Sequence, residues 1–136
     1  NSYIEDFFLN KLPVADDIYF NSIKDLQVSS HFLIKRTGEV IQFVSCDDRA
    51  WHAGKSCFQG RENCNDFSIG IELQGTEDIN YCSEQYQSLA SLTKAIQAAY
   101  PLILAEHIVG HEFISPGRKT DPGKSFNWAR YKKSTL

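Results

Sequence analysis

Between Ser83 and Pro101 the chain carries a single apolar stripe, with Tyr86, Leu89, Leu92, Ile96 and Ala99 recurring at three- and four-residue steps. That period places them on one face of an α-helix, with Ser83 as N-cap and Pro101 as stop signal. A helix with one apolar face needs a surface to cover, and the chain also offers strands. In "FSIGIELQG" (Phe67–Gly75), Phe67, Ile69, Ile71 and Leu73 alternate with Ser68, Gly70, Glu72 and Gln74, the period of a β-strand. "HFLIKRTGEVIQFV" (His31–Val44) reads as a hairpin about a turn at Thr37–Gly38. "HIVG" (His107–Gly110) is a further strand candidate, and Tyr3–Leu9 and Trp128–Lys133 read as short helices. A polar connection runs through Pro13 and Asp16–Asp17, and the glycine-punctuated segment Ala50–Asp66 reads as a loop. Strands and helices alternate unevenly, which predicts an α/β fold with a mixed central β-sheet flanked by helices.

The chain has 136 residues, enough for one compact domain (1–136), and shows no internal repeat. A hydrophobic share of 42% and a charged share of 23% are those of an ordinary globular protein. The net charge of -3 gives no reason to expect a nucleic-acid partner. No apolar run approaches the roughly 18 residues that span a bilayer, and a monomer is expected. Cys46, Cys57, Cys64 and Cys82 form no CxxC pair, so reduced thiols are expected, with a Cys57–Cys64 bridge as the alternative.

The chemistry is densest in "HEFISPGRKTDPG" (His111–Gly123), where prolines and glycines punctuate a stretch holding His111, Arg118, Lys119 and Asp121. Either this is a solvated surface loop, or its turns fix the positions of a metal-ligand pair and a cation. A neutral imidazole and a carboxylate both suit Zn²⁺. Spacing alone leaves both readings open. Lys119 is a surface lysine or an oxyanion stabiliser. Glu72, flanked by Ile71 and Leu73, marks either the polar outer face of a half-exposed strand or a carboxylate in a cleft. Trp51 and His52 form a pair suited to gripping a sugar or peptide, and equally to packing. His31 reads as a core or hydrogen-bonding residue and His107 as structural. Arg61, Arg118 and Lys119 could meet an acidic ligand or simply be solvated.

Taken together, "VSSHFLIKRTGEVIQFV", "RAWHAG", "QGRENCNDFSIGIELQGT" and "GHEFISPGRKTDPGKSFNWAR" resemble the AmpD-type N-acetylmuramoyl-L-alanine amidases, in order from about residue 25 to residue 130. The resemblance implies the amidase/peptidoglycan-recognition fold and zinc-dependent cleavage of the amide between N-acetylmuramic acid, in its 1,6-anhydro form, and L-alanine of muropeptides. It implies cytoplasmic peptidoglycan recycling, Zn²⁺ as cofactor and a muropeptide as partner. Residue by residue it assigns His111 and Asp121 as zinc ligands, Glu72 as the catalytic carboxylate and Lys119 as the cation beside the metal. The family's third ligand, a histidine closing an upstream strand, has no counterpart in this sequence. His31 matches a different family histidine. The resemblance therefore implies an amino-terminally incomplete copy, with the first strand and third ligand upstream of Asn1. A non-catalytic muropeptide-binding module is the alternative. Gln27 and Asn63 stand where the family commonly has arginines, which puts recognition of the acidic peptide stem on other groups.

Overall fold

The computed structural model describes residues 30–75 and 79–135. The helix expected at Tyr3–Leu9, the connection through Pro13 and the family position at Gln27 lie outside the described residues. In chain order the elements are β1 (Phe32–Ile34), β2 (Val40–Gln42), β3 (Cys57–Phe58), β4 (Arg61–Glu62), β5 (Ile71–Leu73), α1 (Ser83–Ala99), α2 (His111–Ile114) and α3 (Trp128–Thr135). The fold is α/β, as the sequence leads one to expect. One sheet has the order β2-β1-β5 and a second pairs β3 with β4. The described residues divide into two compact units, 30–33 with 40–72, and 34–39 with 73–75 and 79–135.

The sheet is mixed. The hairpin expected at His31–Val44 is present and antiparallel, with the Lys35 N–H donating to the Glu39 carbonyl at 2.8 Å and the Phe43 N–H to the His31 carbonyl at 2.9 Å. Gly38 takes φ 89° at its turn, where a side chain would be strained. β5 runs parallel to β1: the Phe32 N–H donates to the Gly70 carbonyl (3.1 Å) and the Gln74 N–H to the Ile34 carbonyl (2.9 Å). Phe32, Leu33 and Ile34 are 0%, 1% and 0% exposed, so both faces of β1 are covered. A central strand buried on both sides reads as a continuous apolar run, which is why "FLI" does not alternate.

In the first unit the braces are buried polar side chains. His31 is fully buried. The Gly70 N–H donates to its Nδ1 (3.0 Å), so Nε2 carries the proton and donates to the Asp48 carbonyl at 2.7 Å. Asn65 Oδ1 accepts the N–H groups of His52 (3.0 Å) and Ala53 (2.8 Å), organising the segment read as a plain loop. That segment is more ordered than its composition suggests. It holds the β3–β4 hairpin, whose turn at Gln59 (φ 51°) and Gly60 (φ 82°) has the left-handed backbone of a tight two-residue loop. All four cysteines are free, as expected, including Cys57 and Cys64.

In the second unit α1 spans the expected range, but its N-cap is Cys82 rather than Ser83. The reason is Gln85, whose Oε1 reaches back to accept the Cys82 N–H at 2.9 Å. Its Nε2 donates to the Gln74 carbonyl at 2.9 Å and the Ile34 carbonyl at 3.3 Å, so one amide ties the helix start to two strand ends. Tyr86, Leu89, Leu92 and Ile96 are buried as the stripe requires, whereas Ala99 at the helix end is exposed. α3 packs on α1 through Tyr131, whose hydroxyl meets Thr93 Oγ1 at 2.6 Å. The strand expected at His107–Gly110 is not assigned as one. A 3-10 turn occupies Ala105–His107, closed by the Leu104 N–H donating to His107 Nδ1 at 3.0 Å. Local side-chain capping overrides the short apolar run. Among the described residues no helix is long and apolar enough to cross a membrane.

Burial lowers the His31 pKa below the ordinary 6.5, so protons favour the unfolded chain. The His31 contribution is therefore complete above pH 6.5 and declines as the pH falls below that value toward the lower folded pKa. Denaturant melts across this range should show that decline, and His31→Gln should flatten it. His31→Ala strands a buried donor and acceptor and should cost on the order of 3 kcal/mol.

Candidate functional site

The sequence places its chemistry on a turn-rich segment, and the second unit shows how that segment is held. Gly110 caps α2 with extended backbone (φ -81°, ψ 158°), making His111 the first helical residue. The Ser115 N–H donates to the His111 carbonyl at 3.0 Å, and the buried Ser115 then accepts the Arg118 (3.1 Å) and Lys119 (3.0 Å) N–H groups on its own carbonyl. Gly117, at φ 81°, makes the reversal between them. The Glu112 N–H donates to the Asp121 carbonyl at 2.9 Å and brings the far end of the segment back beside its start. The Asp121–Pro122 peptide is cis, and the Tyr81 hydroxyl donates to the Pro122 carbonyl at 2.9 Å.

This frame points two side chains at each other. His111 Nδ1 lies 3.3 Å from Asp121 Oδ2. The imidazole beside it holds the Asp121 carboxyl below the ordinary carboxylate range, against partial burial and with help from the nearby charge of exposed Lys119. The segment is ordered by its own turns, and it brings the His111 and Asp121 side chains together, with the charge of Lys119 near enough to act on Asp121.

The pair suits a cation. Charge-assisted hydrogen bonds are usually about 2.7–2.9 Å long, shorter than the 3.3 Å seen here. Two ligand atoms bound at about 2.0–2.1 Å to a tetrahedral ion stand about 3.3–3.4 Å apart, which is the observed spacing. The donor set, one imidazole nitrogen and one carboxylate oxygen, is also right for zinc. It amounts to two ligands, and among the described residues no cluster of three His, Cys, Asp or Glu side chains occurs. Arg118 Nη2 lies 3.5 Å from His111 Nε2 and 3.2 Å from Ser115 Oγ. Ligation through Nδ1 would put the imidazole proton on Nε2, and the guanidinium would then no longer find an acceptor there.

The first unit carries Glu72 in the middle of β5, exposed between half-buried Ile71 and Leu73. Two residues earlier in the same ladder, Gly70 lies against the His52 ring; a Cβ there would sit 2.4 Å from His52 Cγ. Ser68 Oγ donates to the Cys64 carbonyl (2.6 Å) and so accepts from His52 Nε2 (2.8 Å). His52 is thus a packed and hydrogen-bonded residue. Its neighbour Trp51 is 54% exposed, with the Arg49 guanidinium 4.1 Å from its ring centre. Arg61 lies over the Phe67 ring at 4.1 Å, and Asn63 takes a left-handed backbone at φ 57°. Cys46 is no candidate nucleophile, since burial and neighbouring Asp47 push its thiol pKa up to about 11.

Sequence reasoning missed Ser115, Tyr81 and Gly110, which build the turn. Only the glycine left a trace, directly ahead of the histidine.

Residues 3–124 match the family model of N-acetylmuramoyl-L-alanine amidase, and the chain belongs to that family. Within it, the chain is 52% identical to the 1,6-anhydro-N-acetylmuramyl-L-alanine amidase AmpD of Haemophilus influenzae over 97% of its own length and 72% of that protein. A crystal structure of a selenomethionine AmpD derivative superposes with a TM-score of 0.79 at 48% identity, covering 100% of this chain and 75% of that one. The amidase AmiD of Escherichia coli, solved with the substrate anhydro-N-acetylmuramic acid-L-Ala-D-γ-Glu-L-Lys, gives 0.75 at 34% identity over 88% of this chain and 54% of that one.

Gly110 offers a direct test of the frame. An added Cβ would meet Pro122 Cδ at 2.8 Å and Trp128 Cζ2 at 3.3 Å. Gly110→Ala should cost about 1–3 kcal/mol through overpacking and lower Tm by several degrees. An unchanged melting curve would mean that the turn has slack.

Proposed function

We propose that this amidase hydrolyses the amide between the lactyl group of 1,6-anhydro-N-acetylmuramic acid and L-alanine of muropeptides, with zinc as cofactor, in cytoplasmic peptidoglycan recycling. The observation that carries the reading is the convergence of His111 Nδ1 and Asp121 Oδ2 at 3.3 Å on one closed turn with Lys119 beside them. The anhydro sugar is supported by the names of the 52%-identical relative and of the ligand in the AmiD structure.

His111 and Asp121 would hold the ion, with a third ligand from outside the described residues. Zinc, when bound, supplies a water acidic enough to ionise near pH 7 and a positive charge at the scissile carbonyl. Glu72 takes a proton from the attacking water as the new C–O bond forms. It returns that proton to the alanine nitrogen as the C–N bond breaks, leaving a carboxylic acid on the sugar and a free amine on the peptide. Lys119 offsets the negative charge that develops on the carbonyl oxygen. Trp51 is the exposed aromatic candidate for contact with the sugar or peptide, with His52 behind it as a packed support.

Purified protein should contain zinc and release L-alanyl peptide from anhydro-muropeptide, and a chelator should stop the reaction. Glu72→Gln and Lys119→Ala should keep the native melting profile while lowering kcat by about a hundredfold or more. Undiminished turnover in either variant would remove that residue from the mechanism. Muropeptide binding without metal and without cleavage would select the non-catalytic recognition module instead.

A further inference from the structure

Apart from the His111–Asp121 turn, the second unit contains a concavity of about 670 Å³ between the start of α1 and the start of α3. That volume is in the range of small-molecule sites, roughly 300–1,000 Å³. Its charge is one-sided. Among the described residues Lys124 and Arg130 line it, no carboxylate does, and neither cation takes part in an ion pair. The Arg130 guanidinium lies over the Tyr86 ring at 4.5 Å. Stacking occupies its flat face and leaves the N–H edge for an oxygen ligand. Asn80 and Asn127 add amide groups to the wall, and the half-buried Trp128 gives the site an apolar side.

Unmatched cations, amides and one indole are the chemistry that receives an N-acetylated sugar bearing a carboxylate. We propose that this concavity binds an acidic amino sugar of the muramic acid class. The choice of sugar rests on the amidase reading, because cleavage there leaves a carboxylate on the sugar. The cations, amides and aromatic wall do not depend on it. The concavity also adjoins the metal-site turn through Tyr81, which lines it and whose hydroxyl donates to the Pro122 carbonyl at 2.9 Å.

The test is binding of N-acetylmuramic acid to the purified protein, followed by amide and indole N–H shifts in NMR spectra. Shifts should centre on Trp128, Asn127 and Arg130. Arg130→Gln and Lys124→Gln should each weaken binding about tenfold, as loss of a charged hydrogen bond does. N-acetylglucosamine, which lacks the carboxylate, should bind about tenfold more weakly than N-acetylmuramic acid. Binding should persist in His111→Ala protein treated with chelator, so absence of amidase activity would leave it standing. Equal binding of the two sugars, shifts centred on His111 and Lys119, or no binding at all would overturn the proposal.

Discussion

One backbone hydrogen bond closes the segment on which the chemistry depends. The Glu112 N–H donates to the Asp121 carbonyl at 2.9 Å, so the two ends of a loop that would otherwise wander are fixed side by side. Closing a loop of this length costs a few kcal/mol of chain entropy. The closure is offset by the turns stacked inside it: the His111 carbonyl takes the Ser115 N–H, and the Ser115 carbonyl takes two more. With those bonds made, placing His111 Nδ1 against Asp121 Oδ2 requires little further ordering. A side-chain pair built from backbone closure is preorganised, which is what the proposed metal site would ask of its protein.

The same economy of polar groups holds the rest of the fold. Gln85 is 1% exposed, yet each polar end of its amide is used, one on the Cys82 N–H and the other on two strand carbonyls. Asn65 does the equivalent for the His52–Ala53 segment, through two N–H groups on one oxygen. Buried amides of this kind are stabilising only when satisfied, since an orphaned donor or acceptor costs about 1–3 kcal/mol. They therefore specify where loops attach, whereas buried apolar residues such as those of β1 and α1 supply the drive to fold at all.

This division explains what was legible in the sequence. Periodicity reports apolar faces, so the β1–β2 hairpin, the strand around Ile71–Leu73 and the helix Ser83–Ala99 could be read directly. Sequence position does not report where a polar side chain will reach. Gln85 moved the helix cap back to Cys82, and His107 folded its own segment into a 3-10 turn where an apolar run suggested a strand. The β3–β4 hairpin was hidden because its turn uses Gln59 at φ 51°, a residue with no evident preference for that conformation. Of the site, His111, Lys119 and Asp121 stood out by residue type inside a punctuated loop. Ser115 and Tyr81 did not, because a serine carbonyl and a tyrosine hydroxyl bonded to a distant proline carbonyl leave no local pattern.

The histidines show why the chemistry collects where it does. Both ring nitrogens of His31 are committed to backbone groups in a fully buried position, and its lowered pKa keeps it neutral near pH 7. Turning either nitrogen to a metal would strand the Gly70 N–H or the Asp48 carbonyl inside the core. His52 gives Nε2 to Ser68 and packs its ring where any side chain at position 70 would collide with it. His107 spends Nδ1 on the Leu104 N–H. Each of the three is held by a structural duty that ligation would disturb. His111 instead brings a ring nitrogen to 3.3 Å from the Asp121 carboxylate, on a turn whose closure needs nothing from its side chain.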